Sequence, residues 1–202
     1  MTTLPTLPDL RALYGNARER SVKKELPQLD EHAVRFIGLS PLLVVASAGA
    51  PGALDASPRG GEPGFVKVLD AHTLLIPDSP GNNRLDTLEN ILQTGQVGLL
   101  FLVPGVDETL RVNGTATLSL DEADMVMCTD AKRRPKLVIR VTVQASYLHC
   151  AKALMRSALW DATRHVERSV MPSMGAMMKD QIGGDMQAET QAQMLARYAV
   201  DL

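Results

Sequence analysis

Apolar residues recur along this chain in two rhythms, and the switches between them lay out the predicted elements. Residues 42–48, LLVVASA, form a β-branched run closed by Gly49, Pro51 and Gly52, which predicts a buried strand. Five further strands are predicted over 64–69, 72–77, 97–103, 109–118 and 136–145. Only Asp70 and Ala71 separate the second from the third, a connection short enough to force an antiparallel hairpin, and 104–108 is a second turn between strands. Helical spacing replaces alternation at 9–20, 148–160 and 172–199, and at 85–94, where Leu85, Leu88, Ile91 and Leu92 make an apolar stripe. Asp30 stands as an N-cap before Ala33, Val34, Phe36 and Ile37, so another short helix ends near 38–41.

Short connections and one clear intervening helix predict an antiparallel sheet that closes on itself, because closure removes exposed strand edges. The expected fold is mainly β: a small six-stranded antiparallel barrel over about 36–145, then a helical segment over about 148–202, with 1–202 as a single domain. The last helices carry Met174, Met177, Met178, Met186 and Met194, which suit a core or dimer contact better than an adaptable binding surface. Net charge is -2 and aromatic residues are 3%, which leaves neither a basic surface nor enough rings for a nucleic-acid platform. No run nears the roughly 18 apolar residues of a membrane span, and residues 1–10 carry prolines in place of a targeting leader. Cys128 and Cys150 stand apart without a CxxC spacing, which argues against a disulfide scaffold and a zinc knuckle; a reducing cytoplasm is the expected compartment.

Two segments hold residues suited to an anion. Residues 77–84, PDSPGNNR, join a strand to a helix and bring a glycine, two amides and a guanidinium to the helix start, where backbone N–H groups and the helix dipole also attract negative charge. The spacing matches neither a Rossmann fingerprint nor a P-loop, and an ordinary capped loop meets the same pattern. Residues 55–67, DASPRGGEPGFVK, lead from a turn-rich stretch into a strand on which Phe65, Lys67 and Leu69 share one face. Lys67 is there either a rim charge with a snorkelling stem or a ligand for an anion.

Together with 110–116, LRVNGTA, these stretches make the chain resemble the pyridoxamine 5′-phosphate oxidase-like FMN-binding split-barrel superfamily over about 36–145. In detail it resembles a branch of flavoproteins marked by DASPRGG, PDSPGNNRLD and LRVNG motifs, and that resemblance extends to His149-Cys150-Ala151-Lys152. The resemblance implies a split β-barrel that holds FMN at a homodimer interface, with two symmetry-related sites each built from both chains. It implies Lys67, Asn82, Asn83 and Arg84 as phosphate ligands, with the strand backbone around Phe65, Val66, Ile76 and Pro77 along the isoalloxazine and ribityl chain. Arg59 would lie close by, and Thr109 or Arg111 at the far side. One departure matters: the true oxidase ends in a Trp and Arg-Leu-His-x-Arg pattern, whereas this chain ends in ARYAVDL, so oxidation of pyridoxamine phosphate is not supported.

On the helix predicted after the last strand, His149, Lys152, Arg156 and Trp160 fall along one face, a basic stripe that is either solvated surface or a lid over the flavin attracting an anionic substrate. His149 and Cys150 are the candidate catalytic residues, one for proton transfer and the other as a thiolate. The function expected is that of an FMN-dependent oxidoreductase of unknown small-molecule substrate, with NADH or NADPH as possible electron donors. The alternatives are a flavin-binding, storage or electron-transfer module without turnover, and a haem-binding split barrel using His149 or His72.

Overall fold

The computed structural model describes residues 6–131, 133–185 and 187–200, and the chain divides into two compact units after Ser157. The first unit is built on seven antiparallel strands: β1 (Leu42–Ala48), β2 (Leu54–Gly60), β3 (Lys67–Asp70), β4 (Thr73–Pro77), β5 (Gln96–Leu102), β6 (Thr109–Ser119) and β7 (Val138–His149). They form one sheet in the order β2-β1-β5-β6-β7-β4-β3. Helices α1 (Leu7–Tyr14), α2 (Glu19–Lys23), α3 (Glu31–Leu39), α4 (Asp86–Thr94), α5 (Glu122–Met127) and α6 (Lys152–Ser157) complete the unit.

The sheet corrects the expected six-stranded closed barrel in two respects. The seventh strand, β2, occupies a stretch that reads as a turn because it holds Pro58 and Gly60. A proline has no N–H to give, but β2 pairs only with β1 and stands at the edge, where that donor is dispensable. Its alternation is also inverted in polarity: Asp55, Ser57 and Arg59 take the more buried side while Leu54, Ala56 and Pro58 are exposed. The second correction is that the ladder stays open, with β2 and β3 at opposite ends. These two strands are nevertheless consecutive in the chain. Seven residue steps from Gly60 to Lys67 reach about 24 Å at most, while seven flat strands would spread about 29 Å, so the sheet must curl.

What it curls around is apolar and mostly aliphatic. Leu43 and Val45 of β1, Leu74 and Ile76 of β4, Phe101 of β5, Val112 of β6 and Val141 of β7 meet in one buried cluster, which Ile37 of α3 and Leu88 and Ile91 of α4 also enter. Asp30 starts α3 as predicted, its carboxylate accepting from the Ala33 N–H at 2.8 Å. Gly95 ends α4 in a left-handed conformation, φ 68, that favours glycine. Where β6 bulges against β7 at Asn113/Gly114, a side chain at Gly114 would collide with the Thr142 carbonyl. A smaller cluster, Leu75, Met125, Cys128 and Val138, lies on the other face of β4 and β7 beneath α5.

Two predicted helices are also corrected. Residues 9–20 are not one helix; α1 stops at Gly15, whose φ is 71, and α2 follows. The helix predicted over 148–160 is largely strand at its start, because β7 keeps pairing with β6 as far as Thr109↔His149, and Leu26 bridges its far side at Ser146. Sheet pairing overrides the local helical spacing there, and α6 begins only at Lys152.

In the second unit, two single-turn 3-10 helices, Ala162–Arg164 and Arg168–Val170, precede α7 (Met174–Ile182) and α8 (Gln191–Tyr198). Ser173 caps α7 and a Thr190–Gln193 capping box starts α8. Gly175 lets α7 lie against the Glu189 backbone, and Arg197 pairs with Glu189 at 2.8 Å. Of the methionines, Met194 is buried, Met177 half-buried, Met174 and Met178 exposed, and Met186 lies outside the described residues. Among the described residues no helix is long and apolar enough to cross a membrane.

Candidate anion and cofactor site

The polar side of β2 delivers its last side chain, Arg59, to the rim of the curled sheet. Arg59 Nε is buried and has no hydrogen-bond partner. An unpaired buried donor is uncommon because it loses its water without replacement, which makes this atom a candidate to receive an acceptor from elsewhere. Arg59 faces Asp78, the residue immediately after β4, whose N–H donates to the Leu137 carbonyl at 3.1 Å. Asp78 is half-buried, and burial pushes its carboxyl above the usual carboxylate range although Arg59 and Lys136 both act to lower it. The two side chains sense each other's charge without forming an ion pair.

Residues 78–85 then turn into α4. Asn82 Oδ1 accepts from the Arg84 N–H at 3.1 Å, and Asn83 adopts a left-handed φ of 59. The Arg84 guanidinium is exposed and turned to Asp86, Nε to Oδ2 at 2.6 Å. Asp55 of β2 ties down the helix start: it accepts from Ser57 Oγ at 3.0 Å and from Thr87 Oγ1 at 2.5 Å. Its charge also reaches Arg84. Asp55, Asp86 and Glu89 already answer the positive end of α4.

Of the residues singled out in the sequence, Arg59 near the end of β2 faces Asp78, and Arg84 feels the charge of Asp55 near the start of the same strand, so both border the β2 edge of the sheet. Ile76 and Val66 are buried in the core and Phe65 and Pro77 are half-buried, so the backbone is what these positions offer a ligand. Lys67 stands apart from this group. It pairs with Leu75 in the ladder and shares that residue's face, toward Cys128, while its Nζ donates to the Gly64 carbonyl at 2.9 Å. Cys128 itself is a buried thiol pushed up to about 11 by desolvation.

Thr109 and Arg111 belong to β6, opposite His149 and Tyr147 of β7, and the Arg111 guanidinium lies 5.1 Å from the Tyr147 ring centre. Cys150 is exposed just past β7. Of the basic stripe, Lys152 and Arg156 remain one turn apart on α6, His149 belongs to the strand, and Trp160 falls in the second unit. His72 lies in the exposed turn between β3 and β4. Asp78 is the residue that sequence reasoning missed. It was in view within PDSPGNNR, but a carboxylate in an anion-seeking segment reads as filler until its burial and its two cations are known.

A seven-stranded antiparallel sheet curled on an apolar core, with the unpaired Nε of Arg59 at its rim, defines a mainly β domain. The chain belongs to the pyridoxamine 5′-phosphate oxidase family, whose model matches residues 29–150. No curated protein matches it. Among solved structures it is similar to HupZ of Group A Streptococcus, with 19% identity over 59% of this chain and 93% of that one at a TM-score of 0.50, a likeness of fold. It is also similar to a protein from Clostridium acetobutylicum related to general stress protein 26, with 12% identity over 60% and 90% of the two chains and a TM-score of 0.42. An FMN-binding protein from Syntrophomonas wolfei aligns with 10% identity over 58% and 81%, with a TM-score of 0.44.

Proposed function

We propose that this chain is an FMN-dependent oxidoreductase that holds its flavin at the sheet rim between β2, the end of β4 and the start of α4. The observation that carries the reading is Arg59 Nε, a buried donor left for a ligand's acceptor, within a family named for a phosphate-ester oxidase. Asn82, Asn83 and Arg84 would hold the phosphate. Arg84 would exchange its exposed pairing with Asp86 for this ligand, an easy trade because a solvated ion pair is worth little. The backbone of Phe65, Val66, Ile76 and Pro77 would line the ring, and Lys67 stands outside the set. FMN, when bound, supplies the capacity to accept and return electrons, while the protein orients it and excludes water.

The reading includes a homodimer. The outward face of β1, β2 and β5 exposes Leu54 beside a groove of about 570 Å³ floored by Ala46, Ala56 and Gly98, a largely apolar surface of the kind that a second copy covers. A cytoplasmic setting with NADH or NADPH as donor completes it. Equilibrium dialysis is expected to show one FMN taken up per chain, and protein that neither carries nor acquires FMN overturns the proposal. Monomers at micromolar concentration in sedimentation velocity would overturn the dimer. Stopped-flow mixing with NADH and NADPH separates an enzyme, whose bound flavin is reduced, from a binding module, whose flavin is not.

A further inference from the structure

A half-buried carboxylate at the rim of an anion site needs an explanation of its own, because it repels the phosphate that the neighbouring cations attract. Asp78 is that group, and among the described residues nothing donates a hydrogen bond to its carboxylate. Beside it is Arg59 Nε, a donor with no acceptor. A carboxylate that reaches solvent, facing a buried donor without a partner and too far from it to pair, is matched by a ligand group that both gives and takes a hydrogen bond. A hydroxyl does this; a fully ionised phosphate only accepts, and aromatic carbon does neither.

Resting on the flavin reading above, we infer that Asp78 and Arg59 together grip the hydroxyl-bearing chain of the ligand, with Asp78 accepting a hydroxyl proton and Arg59 donating to hydroxyl oxygen. The position suits this role. Asp78 follows Pro77, assigned to the ring, and precedes Asn82–Arg84, assigned to the phosphate, so it stands where ring and phosphate are joined. Asp78 is then a positioning and specificity residue: it discriminates flavins bearing a polyol from those without one, and offsets the repulsion it would exert on a phosphate.

A hydroxyl donor favours the ionised carboxylate, whereas burial in the free protein favours the protonated one. Binding of a polyol flavin is therefore coupled to release of a proton, and affinity falls as the pH drops through the titration of Asp78. The charged groups facing it are Arg59 from β2 and Lys136 from the segment leading into β7.

The test compares wild type with Asp78→Asn in their binding of three flavins: FMN, riboflavin, which lacks the phosphate, and lumiflavin, which lacks the polyol as well. The variant is expected to bind FMN and riboflavin more weakly by the same factor, roughly tenfold, as for a lost charge-assisted hydrogen bond, and lumiflavin unchanged. Riboflavin affinity, free of the phosphate's own titration, should fall with decreasing pH in wild type and stay flat in the variant. Equal riboflavin affinity of the two proteins, or an equal loss for lumiflavin, overturns the inference and leaves the flavin reading standing. Wild-type protein that binds none of the three overturns both.

Discussion

Asp124 sits on the buried side of α5 with its side chain 7% exposed and both oxygens taken, Oδ1 by Arg140 Nη1 at 2.7 Å and Oδ2 by Ser119 Oγ at 2.7 Å. Asp78, at the end of β4, is half-buried with neither oxygen taken, although Arg59 and Lys136 face it. One carboxylate closes a structural corner, joining β6, α5 and β7; the other holds its acceptors open beside an equally open donor. The difference teaches how to separate polar groups that serve the fold from those that await a ligand. A fold-serving group is satisfied from within, since leaving it unpaired costs stability with no return. A ligand-facing group tolerates that cost because binding relieves it.

The largest effect that would break this contrast is on folding. Asp124→Ala strands Arg140 and Ser119 and is expected to lower stability by about 2 kcal/mol, toward the low end for a broken buried pair because Arg140 keeps some solvent contact. The check is a lowered urea midpoint at unchanged denaturant dependence. Asp78→Ala should show no such fall. Equal losses at the two positions would erase the distinction between them.

The next effect is on binding. Arg59→Gln removes the guanidinium but keeps a polar side chain at the rim, and FMN affinity is expected to drop roughly tenfold, the size of one lost charge-assisted hydrogen bond. The unfolding midpoint without ligand should fall little, since Arg59 Nε has no hydrogen bond to lose and its attraction to Asp78 acts without an ion pair. A variant that binds FMN normally would show that the orphaned donor is not ligand-facing, and would sharpen the comparison against Asp78 as well.

The fold was largely legible where one periodicity was uncontested. The residues of β1 were predicted at both ends, and α4 to within a residue, because LLVVASA and the Leu88/Ile91 stripe pack into the same core. Legibility failed where tertiary pairing decides. β2 reads as a turn because its partly buried side is Asp55, Ser57 and Arg59, polar residues that face α4 and the rim instead of the core. His149 reads as helical, and only its pairing with Thr109 holds it in β7. At the candidate site, Asn82–Arg84 were visible as anion-seeking types in the sequence, and Arg59 entered only through the family resemblance. The opposite face of Lys67 was not, since it depends on the pairing of that lysine with Leu75. Asp78 could not be weighed either, because its meaning lies in burial and in two cations distant in the chain.

The smallest effect carries the sign that most sharpens the contrast. Burial raises the Asp78 carboxyl above its unfolded value, so the folded protein prefers it protonated. Its favourable contribution is therefore present in full below the unfolded pKa and is lost as the pH rises through the folded one. At neutral pH the free protein holds a charge that it would be steadier without. Asp78→Asn supplies a neutral side chain of the same shape, so it should raise the ligand-free melting temperature slightly at neutral pH, with the advantage over wild type shrinking toward pH 3. Glu122, held below the usual range by Arg134, runs the other way and loses its contribution on acidification in both proteins alike, so the wild-type-minus-variant difference isolates Asp78. A lower melting temperature for the variant at neutral pH would show that Asp78 is paired like Asp124. The same substitution that steadies the free protein should loosen riboflavin, and that opposition is what separates a ligand-facing carboxylate from a structural one.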